Sequence, residues 1–405
     1  MADWLDKAAG QVRPVADGLI LGRYPGGGLA TYGGDAHLLT VAPTGTGKTS
    51  GPVITNALNH PGQLIVMDVK GEVYRHTAAR RRAMGQEVYV LDLRDNGDPD
   101  GCLNPLDLAR RCGSEPAVIA RAFAAEMIER SGHERERFWN DQAESLLTGV
   151  FAWLIDDCEP SDCRISKGFD LLHAGDVPYD IAMLLDTMQV KNKAAYAAFA
   201  AFLANSERET RPSILATAVQ HIRLFDSELI RHRTDRTSID IDGLIEGKPM
   251  SLYVIVPPAR LRAYRSILRL WMSGILMALT QRQEPPEHRT LMLIDECGQL
   301  GALDTFLTAA TLMRGWGVTL WTFWQSVAQL SVYGVNARAL VDQAGVIQLF
   351  GSRNFRLARD FTKLIGGITP EEVMRMRPEE MLVMVEGGLP QFIQQARWYS
   401  DGAFR

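Results

Sequence analysis

The 405-residue sequence predicts an α/β fold with a mostly parallel sheet, interrupted by an inserted all-α domain. Three observations predict it. A loop rich in Gly, Thr and Lys follows a short apolar run that ends at Val41. Strand-like and helix-like stretches alternate through 63–93. Strand-like runs then return only after 240, behind a long block with helical periodicity alone.

Composition bounds what the chain can be. With 46% hydrophobic and 22% charged residues it reads as a folded protein, long enough for one large core or two ordinary ones. A formal net charge of −5 excludes a surface that is basic throughout, so any nucleic-acid contact has to come from a local patch or a pore. Cys102, Cys112, Cys158, Cys163 and Cys297 form no C-x-x-C pair and no His stands at zinc-finger spacing from them, which points to reduced, structural cysteines in a cytosolic protein. No run approaches ~18 uninterrupted apolar residues. The opening "MADWLDKAAG" lacks the basic start and apolar core of a signal peptide, and "LWMSGILMAL" at 270–279 is too short to span a bilayer and reads as a buried helix.

The elements follow in order. Ala42 to Thr49 read A-x-x-x-x-G-K-T, the phosphate-loop pattern with Ala in place of its first Gly. Gly45 and Gly47 let the backbone curl so that successive N–H groups converge on an anion, and a helix opening near Lys48 aims its positive end at the same point. Thr44, Gly45, Thr46, Gly47, Lys48, Thr49 and Ser50 are therefore the candidate nucleotide contacts. Lys48 reaches the β- and γ-phosphates in this reading, and the Thr49 hydroxyl ligates Mg²⁺. Pro52 falls near the first helical turn, where a missing donor costs little. The earlier glycines of "YPGGGLATYGG" do not open a helix in G-x-G-x-x-G form, so a dinucleotide site is not supported.

"QLIVMDV" (63–69), a helix through "EVYRHTAARRRAMG" and "EVYVLDL" (87–93) form a βαβ rhythm. Arg80, Arg81 and Arg82 read as a solvated face or as neighbours of the helix C-terminal dipole. Residues 115–240 show amphipathic helical runs such as "KNKAAYAAFAAFLANS" and no convincing strand. Strands resume at 250–256, 290–296, 318–324, 345–350 and 381–386. The predicted organisation is one α/β domain from 1–114 and 241–405, with an all-α domain at 115–240 plugged into it.

"TLMLIDECGQL" supplies the second half of the chemistry. Four apolar residues lead into Asp295 and Glu296 at a strand end, and two carboxylates buried unpaired there would cost several kcal/mol each, whereas Mg²⁺ and an attacking water make use of them. Asp295 is placed as the metal ligand through a water and Glu296 as the base that polarises the attacking water. An Asp-Glu pair that merely caps the next helix is the bland alternative. Gln325, directly after "VTLWTFW", fits a γ-phosphate sensor, with "WQSVAQL" continuing as helix. Arg314 is placed as a finger reaching across a subunit boundary, an effect worth ~10³ to 10⁵ in rate in other phosphoryl-transfer systems.

With the loop, "MDVKGE" (67–72), "LNPLD" (103–107), "LIDE" and "WQSVAQL" in this order, the chain resembles the TraG-like coupling proteins of type IV secretion, over nearly all of its length up to "GLPQFIQQARWYSDGAF". It is similar, more distantly, to hexameric DNA-pumping ATPases. The resemblance implies a RecA-like P-loop domain, ATP and Mg²⁺ as cofactors, and hydrolysis by Lys48, Thr49, Asp295, Glu296, Arg314 and Gln325. It implies a homo-hexamer, a relaxase or effector protein as cargo on the all-α domain, and docking to secretion-channel components at the cytoplasmic face of the bacterial inner membrane. Relatives usually begin with transmembrane helices and none is read here, so that localisation is implied by the family alone. Sequence-independent, salt-sensitive DNA binding is expected, with Arg208, Arg211, Arg223, Arg231, Arg233 and Arg236 as candidate basic residues. Alternatives are a DNA translocase unrelated to secretion, or a nucleotide-binding cargo adaptor with little turnover.

Overall fold

The structure is a computed structural model and describes residues 17–97, 100–112, 115–128 and 134–404. The opening "MADWLDKAAG" lies outside the described residues. The chain divides into two compact units, taken separately here: residues up to Asp92 with Asp242–Leu261 and Arg282–Arg405, and Leu93–Ile241 with Arg262–Gln281.

The first unit carries an 11-stranded sheet. Its strands are β1 (Leu19–Arg23), β2 (Leu29–Tyr32), β3 (His37–Val41), β4 (Leu64–Asp68), β5 (Glu87–Asp92), β6 (Met250–Ile255), β7 (Thr290–Ile294), β8 (Val318–Trp324), β9 (Ala344–Phe350), β10 (Glu380–Val385) and β11 (Gln391–Gln394). Their order is β2-β1-β11-β10-β9-β3-β8-β7-β4-β6-β5. From β9 to β5 all pairings are parallel, and the β10, β11, β1, β2 end is antiparallel. β3, β4, β6, β7 and β8 are buried along their whole length, which is why each reads as a continuous apolar run rather than an alternating one. The strands expected from the sequence stand within one or two residues of their places. The β1–β2 hairpin and β11 are additions, and the glycine-rich "YPGGG" stretch is the turn that joins β1 to β2.

Two polar side chains inside this unit correct or extend the sequence reading. Arg81 is not on a solvated face but fully buried, and its guanidinium donates to Ser251 Oγ at 2.8 Å, Gly62 O at 2.7 Å and Gln86 Oε1 at 2.7 Å. It collects the chain around the end of the helix Ile54–Asn59, an arrangement that depends on residues far apart in sequence. His37 is 6% exposed, and its Nδ1 accepts the Leu320 N–H at 3.1 Å. Burial, with Arg289 and Arg314 nearby, lowers its pKa to about 4. A folded pKa below the unfolded value of 6.5 means that the contribution of the neutral ring is complete above pH 6.5 and is lost as pH falls toward 4. A stability loss of roughly 3 kcal/mol on this account is expected across that window in urea unfolding. His37→Asn should flatten the curve, and equal slopes in both proteins would remove His37 as the cause.

The second unit is all helix among the described residues, with helices that include Pro116–Met127, Glu134–Asp156, Lys193–Ala204, Thr210–Ile222 and Arg265–Leu279. It is wider than the 115–240 block read from the sequence. The helix Arg265–Leu279 is buried as its sequence suggests, but it falls in the stretch 241–405 assigned to the α/β domain and instead belongs to the helical unit. Arg269 pairs with the buried Glu126 at 2.7 Å, Trp271 Nε1 donates to Leu103 O at 2.8 Å, and Gly274 lets Leu108 come close. Of the six arginines offered for DNA, Arg233 is buried at 3% exposure and is corrected out of that set. Arg231 is spent on Asp170 at 2.6 Å, and Arg211 on Asn205 O and Glu207. Arg208, Arg223 and Arg236 remain exposed.

Candidate nucleotide site

Val41 ends β3 in the middle of the sheet, and the chain then turns through Pro43–Lys48 into a π-helical turn, Thr49–Val53, that runs on as the helix Ile54–Asn59. Gly45 and Gly47 have φ of +81° and +98°, a left-handed backbone that side-chain-bearing residues rarely adopt. The loop therefore curls as its glycines require. Thr46 Oγ1 donates to Pro43 O at 2.7 Å and Ser50 Oγ to Gly47 O at 3.3 Å, so both hydroxyls brace the loop, while Thr44 is exposed at its rim.

β8 and then β7 lie beside β3, and the C-terminal end of β7 delivers Asp295 and Glu296 to the loop. Lys48 Nζ stands 2.5 Å from Glu296 Oε1 and 3.2 Å from Asp295 Oδ1. Thr49 Oγ1 donates to Asp295 Oδ2 at 3.0 Å, and Gln325 Nε2, from the end of β8, donates to Glu296 Oε2 at 2.6 Å. The Asp-Glu pair does not cap a helix: neither side chain does so at the short turn Cys297–Gln299, and Asp295 Oδ1 instead accepts the Glu296 N–H at 3.1 Å. Glu296 sits at φ +60°, a left-handed position that persists in a non-glycine residue because its neighbours hold it on three sides.

Burial pushes the Asp295 carboxyl above the usual carboxylate range, and Lys48 opposes that push. Asp68, at the end of β4, is raised for the same first reason, with Asp295 adding to it. Its carboxylate accepts the N–H groups of Glu72 at 3.1 Å and Tyr74 at 2.9 Å, which gives the "DVKGE" segment a role that the sequence left open: Asp68 caps the helix Glu72–Ala83.

Arg314 is elsewhere. It lies in the turn before β8, at the N-terminal ends of the parallel strands and so at the opposite end from the loop, 60% exposed and paired with Asp35 at 2.5 Å. Within one chain it does not meet Lys48, and any contribution to the pocket has to come from a neighbouring copy. "WQSVAQL" runs on as a 3₁₀ stretch, Val327–Asn336, rather than as an α-helix.

Sequence reasoning missed Gln395 and Arg397. The segment after β11 lies against the loop: Gln395 Nε2 donates to Thr46 O at 3.1 Å, Trp398 N–H to Ser50 O at 3.3 Å, and Thr55 Oγ1 to Ala396 O at 3.0 Å. A Cβ at Gly47 would meet the tips of the Gln395 and Arg397 side chains, so these two residues lie directly over the loop, while the φ of +98° is what calls for Gly. No local pattern marks these residues.

The family profile described as "Type IV secretory system Conjugative DNA transfer" matches residues 6–369. The chain belongs to that family. Among its curated relatives, the chain is 25% identical to the VirD4 protein of Agrobacterium fabrum, over 94% of its own length and 61% of the relative's. It is 25% identical to a conjugal transfer protein TraG of Escherichia coli, over 80% of its length and 54% of the relative's. The chain thus spans about three fifths or less of the length of the relatives it matches. In fold it is similar to the bacterial conjugative coupling protein TrwB, in a sulphate-containing form, with a TM-score of 0.69 at 17% identity over 89% of this chain and 86% of that one. TrwB solved with ADP and Mg²⁺ gives 0.68 at 16% identity, over 90% and 85%. Both likenesses bear out the RecA-like P-loop fold. Among the described residues no helix is long and apolar enough to cross a membrane.

Proposed function

We propose that this conjugative-transfer chain is an ATP-hydrolysing coupling protein that drives DNA, or a relaxase or effector protein, toward a type IV secretion channel. The observation that carries the hydrolytic part is the convergence of Lys48 and Glu296, 248 residues apart in sequence, at 2.5 Å. TrwB has been solved with ADP and Mg²⁺, with an ATP analogue and with a GTP analogue, which supports a purine nucleotide with Mg²⁺ as the ligand.

The donor set suits Mg²⁺. One hydroxyl and one buried carboxylate, Thr49 and Asp295, are few protein ligands, and Mg²⁺ keeps waters and takes phosphate oxygens for the rest. When bound, Mg²⁺ neutralises charge on the β- and γ-phosphates. The chain's own residues supply the remainder. Lys48 exchanges Glu296 for the phosphates, which frees a Glu296 oxygen to accept the proton of the attacking water as the bond to the γ-phosphorus forms and that to the leaving oxygen breaks. Gln325 holds the other Glu296 oxygen and so sets the direction of the base. Arg314 completes the site from a neighbouring copy, in keeping with a ring of six, and the helical unit receives the cargo. Membrane association through partners or further segments belongs to the same reading.

ATPase rate per protomer, measured against protein concentration with and without single- and double-stranded DNA, tests it. A rate that rises with concentration and with DNA is expected. No turnover at any concentration would leave the adaptor reading in its place.

A further inference from the structure

We propose that the exposed face of the helix Phe355–Ile365 is a binding surface for single-stranded DNA, with Arg356, Arg359 and Lys363 on its phosphates and Phe355 against a base. The proposal rests on the DNA-delivery reading above and assigns the contact to one face of one helix. That helix follows β9 and is fixed at its start by Asn354, whose Oδ1 accepts the N–H groups of Arg356 at 3.0 Å and Leu357 at 3.4 Å. Ala358 and Phe361 are buried. With about 3.6 residues per turn, Phe355, Arg359, Lys363 and Arg356 fall within roughly 100° of one another on the other side, and all four are exposed. The charged groups of these three cations have no ion pair or hydrogen bond among the described residues. Asp360, the one acid of the helix, stands four residues after Arg356, as Asp342 does after Arg338 in the preceding helix, but only the second couple forms an ion pair, at 3.4 Å. In a chain of formal charge −5, three positive charges are thus left uncompensated on one face.

Three free cations suit any polyanion. Phe355, 52% exposed among them, narrows the choice, because an aromatic ring stacks on a base and bases offer their faces only in a single strand. From Arg356 to Lys363 the helix rises about 10 Å, the length over which one strand carries about three phosphates at B-form spacing. An anionic membrane fits less well. A helix that lies on a bilayer buries a broad apolar face, whereas the apolar side of this one is packed on the protein and its exposed face shows a single ring. The helix also packs against Val327–Asn336, the stretch that begins just after Gln325, so the strand-binding face and the nucleotide site adjoin through one element.

The test uses the full chain with labelled oligothymidylate and a blunt-ended duplex as probes, read by fluorescence anisotropy over a range of salt. The variant Arg356→Gln/Arg359→Gln/Lys363→Gln changes exposed side chains only and should keep the native melting temperature and the ATPase rate without DNA. It is expected to bind oligothymidylate at least about tenfold more weakly at low salt, with the slope of log affinity against log salt smaller by about 2. Phe355→Ala should lose about fivefold or more on oligothymidylate, keep the slope, and stay within about twofold of native on the duplex. Native affinity and slope in the first variant would overturn the proposal and leave the DNA-delivery reading intact. Equal losses on both probes in Phe355→Ala would also overturn it, because the face would then read phosphate alone. A larger loss from Arg208→Gln/Arg223→Gln/Arg236→Gln would move the contact to the helical unit. Binding to phosphatidylglycerol vesicles that the first variant loses, with its oligothymidylate affinity native, would give the face to a membrane instead. A native chain that binds neither nucleic-acid probe would overturn the DNA-delivery reading itself.

Discussion

Replacing Lys48 with Ala is expected to weaken nucleotide binding by about 100-fold or more and to abolish measurable turnover. The ammonium of Lys48 is 7% exposed as a residue and faces two carboxylates across 2.5 and 3.2 Å, in a place where water contributes little screening. Contacts from a charged donor to phosphate oxygens are worth about 1.5–3 kcal/mol each, and loss of two of them accounts for the fold-change. A second effect runs alongside. Asp295 is 6% exposed and already raised by burial, so removal of its cation leaves it to protonate or to destabilise the fold, at about 3 kcal/mol for a broken buried pair. Equilibrium binding of a labelled ATP analogue and thermal melting separate the two. A Lys48→Ala chain that binds the analogue within threefold of native would take the loop out of the reaction.

Glu296→Gln is expected to act in the opposite way on binding. The isosteric amide keeps the acceptor for Gln325 in reach but accepts no proton, and loss of a positioned base costs about 10²- to 10⁴-fold in rate. Lys48 must leave Glu296 before it can meet a phosphate, and a neutral amide holds an ammonium less firmly than a carboxylate does. Nucleotide affinity is therefore expected to stay level or to rise while hydrolysis collapses. Single-turnover phosphate release and ADP affinity, measured on one preparation, check both halves. A parallel fall in the two would show that Glu296 holds the site together rather than carrying out the chemistry.

The parts of this site legible in the sequence are those whose chemistry leaves a local signature. A curled loop needs Gly45 and Gly47 next to Lys48 and Thr49, and a buried strand that ends in two acids announces Asp295 and Glu296 wherever they pack. Gln325 was legible because it follows an apolar strand directly. What stayed hidden depends on distant partners. β11 is four residues long and exposed along most of its length, so neither length nor alternation marks it. Gln395 and Arg397 have meaning only once that strand has laid them on the loop. Arg81 looks like its neighbours Arg80 and Arg82, and only the carbonyls of residues some twenty positions earlier make it internal. The helix Arg265–Leu279 misleads for a related cause: its place in the chain assigns it to the α/β domain, and its side chains choose Glu126 and Leu103.

β11 sits between β1 and β10, with Arg23 paired to Gln394 and Arg23 also bound to Asp401. The earliest hairpin of the described chain is held early by Asn56, which bonds both backbone groups of Ile20, but its only partner strand outside the hairpin among the described residues is one far later in the chain. That border of the sheet and the segment laid on the phosphate loop are therefore fixed by the same short strand. Without those four residues the chain would keep Lys48, Thr49, Asp295 and Glu296 and still present an open flank.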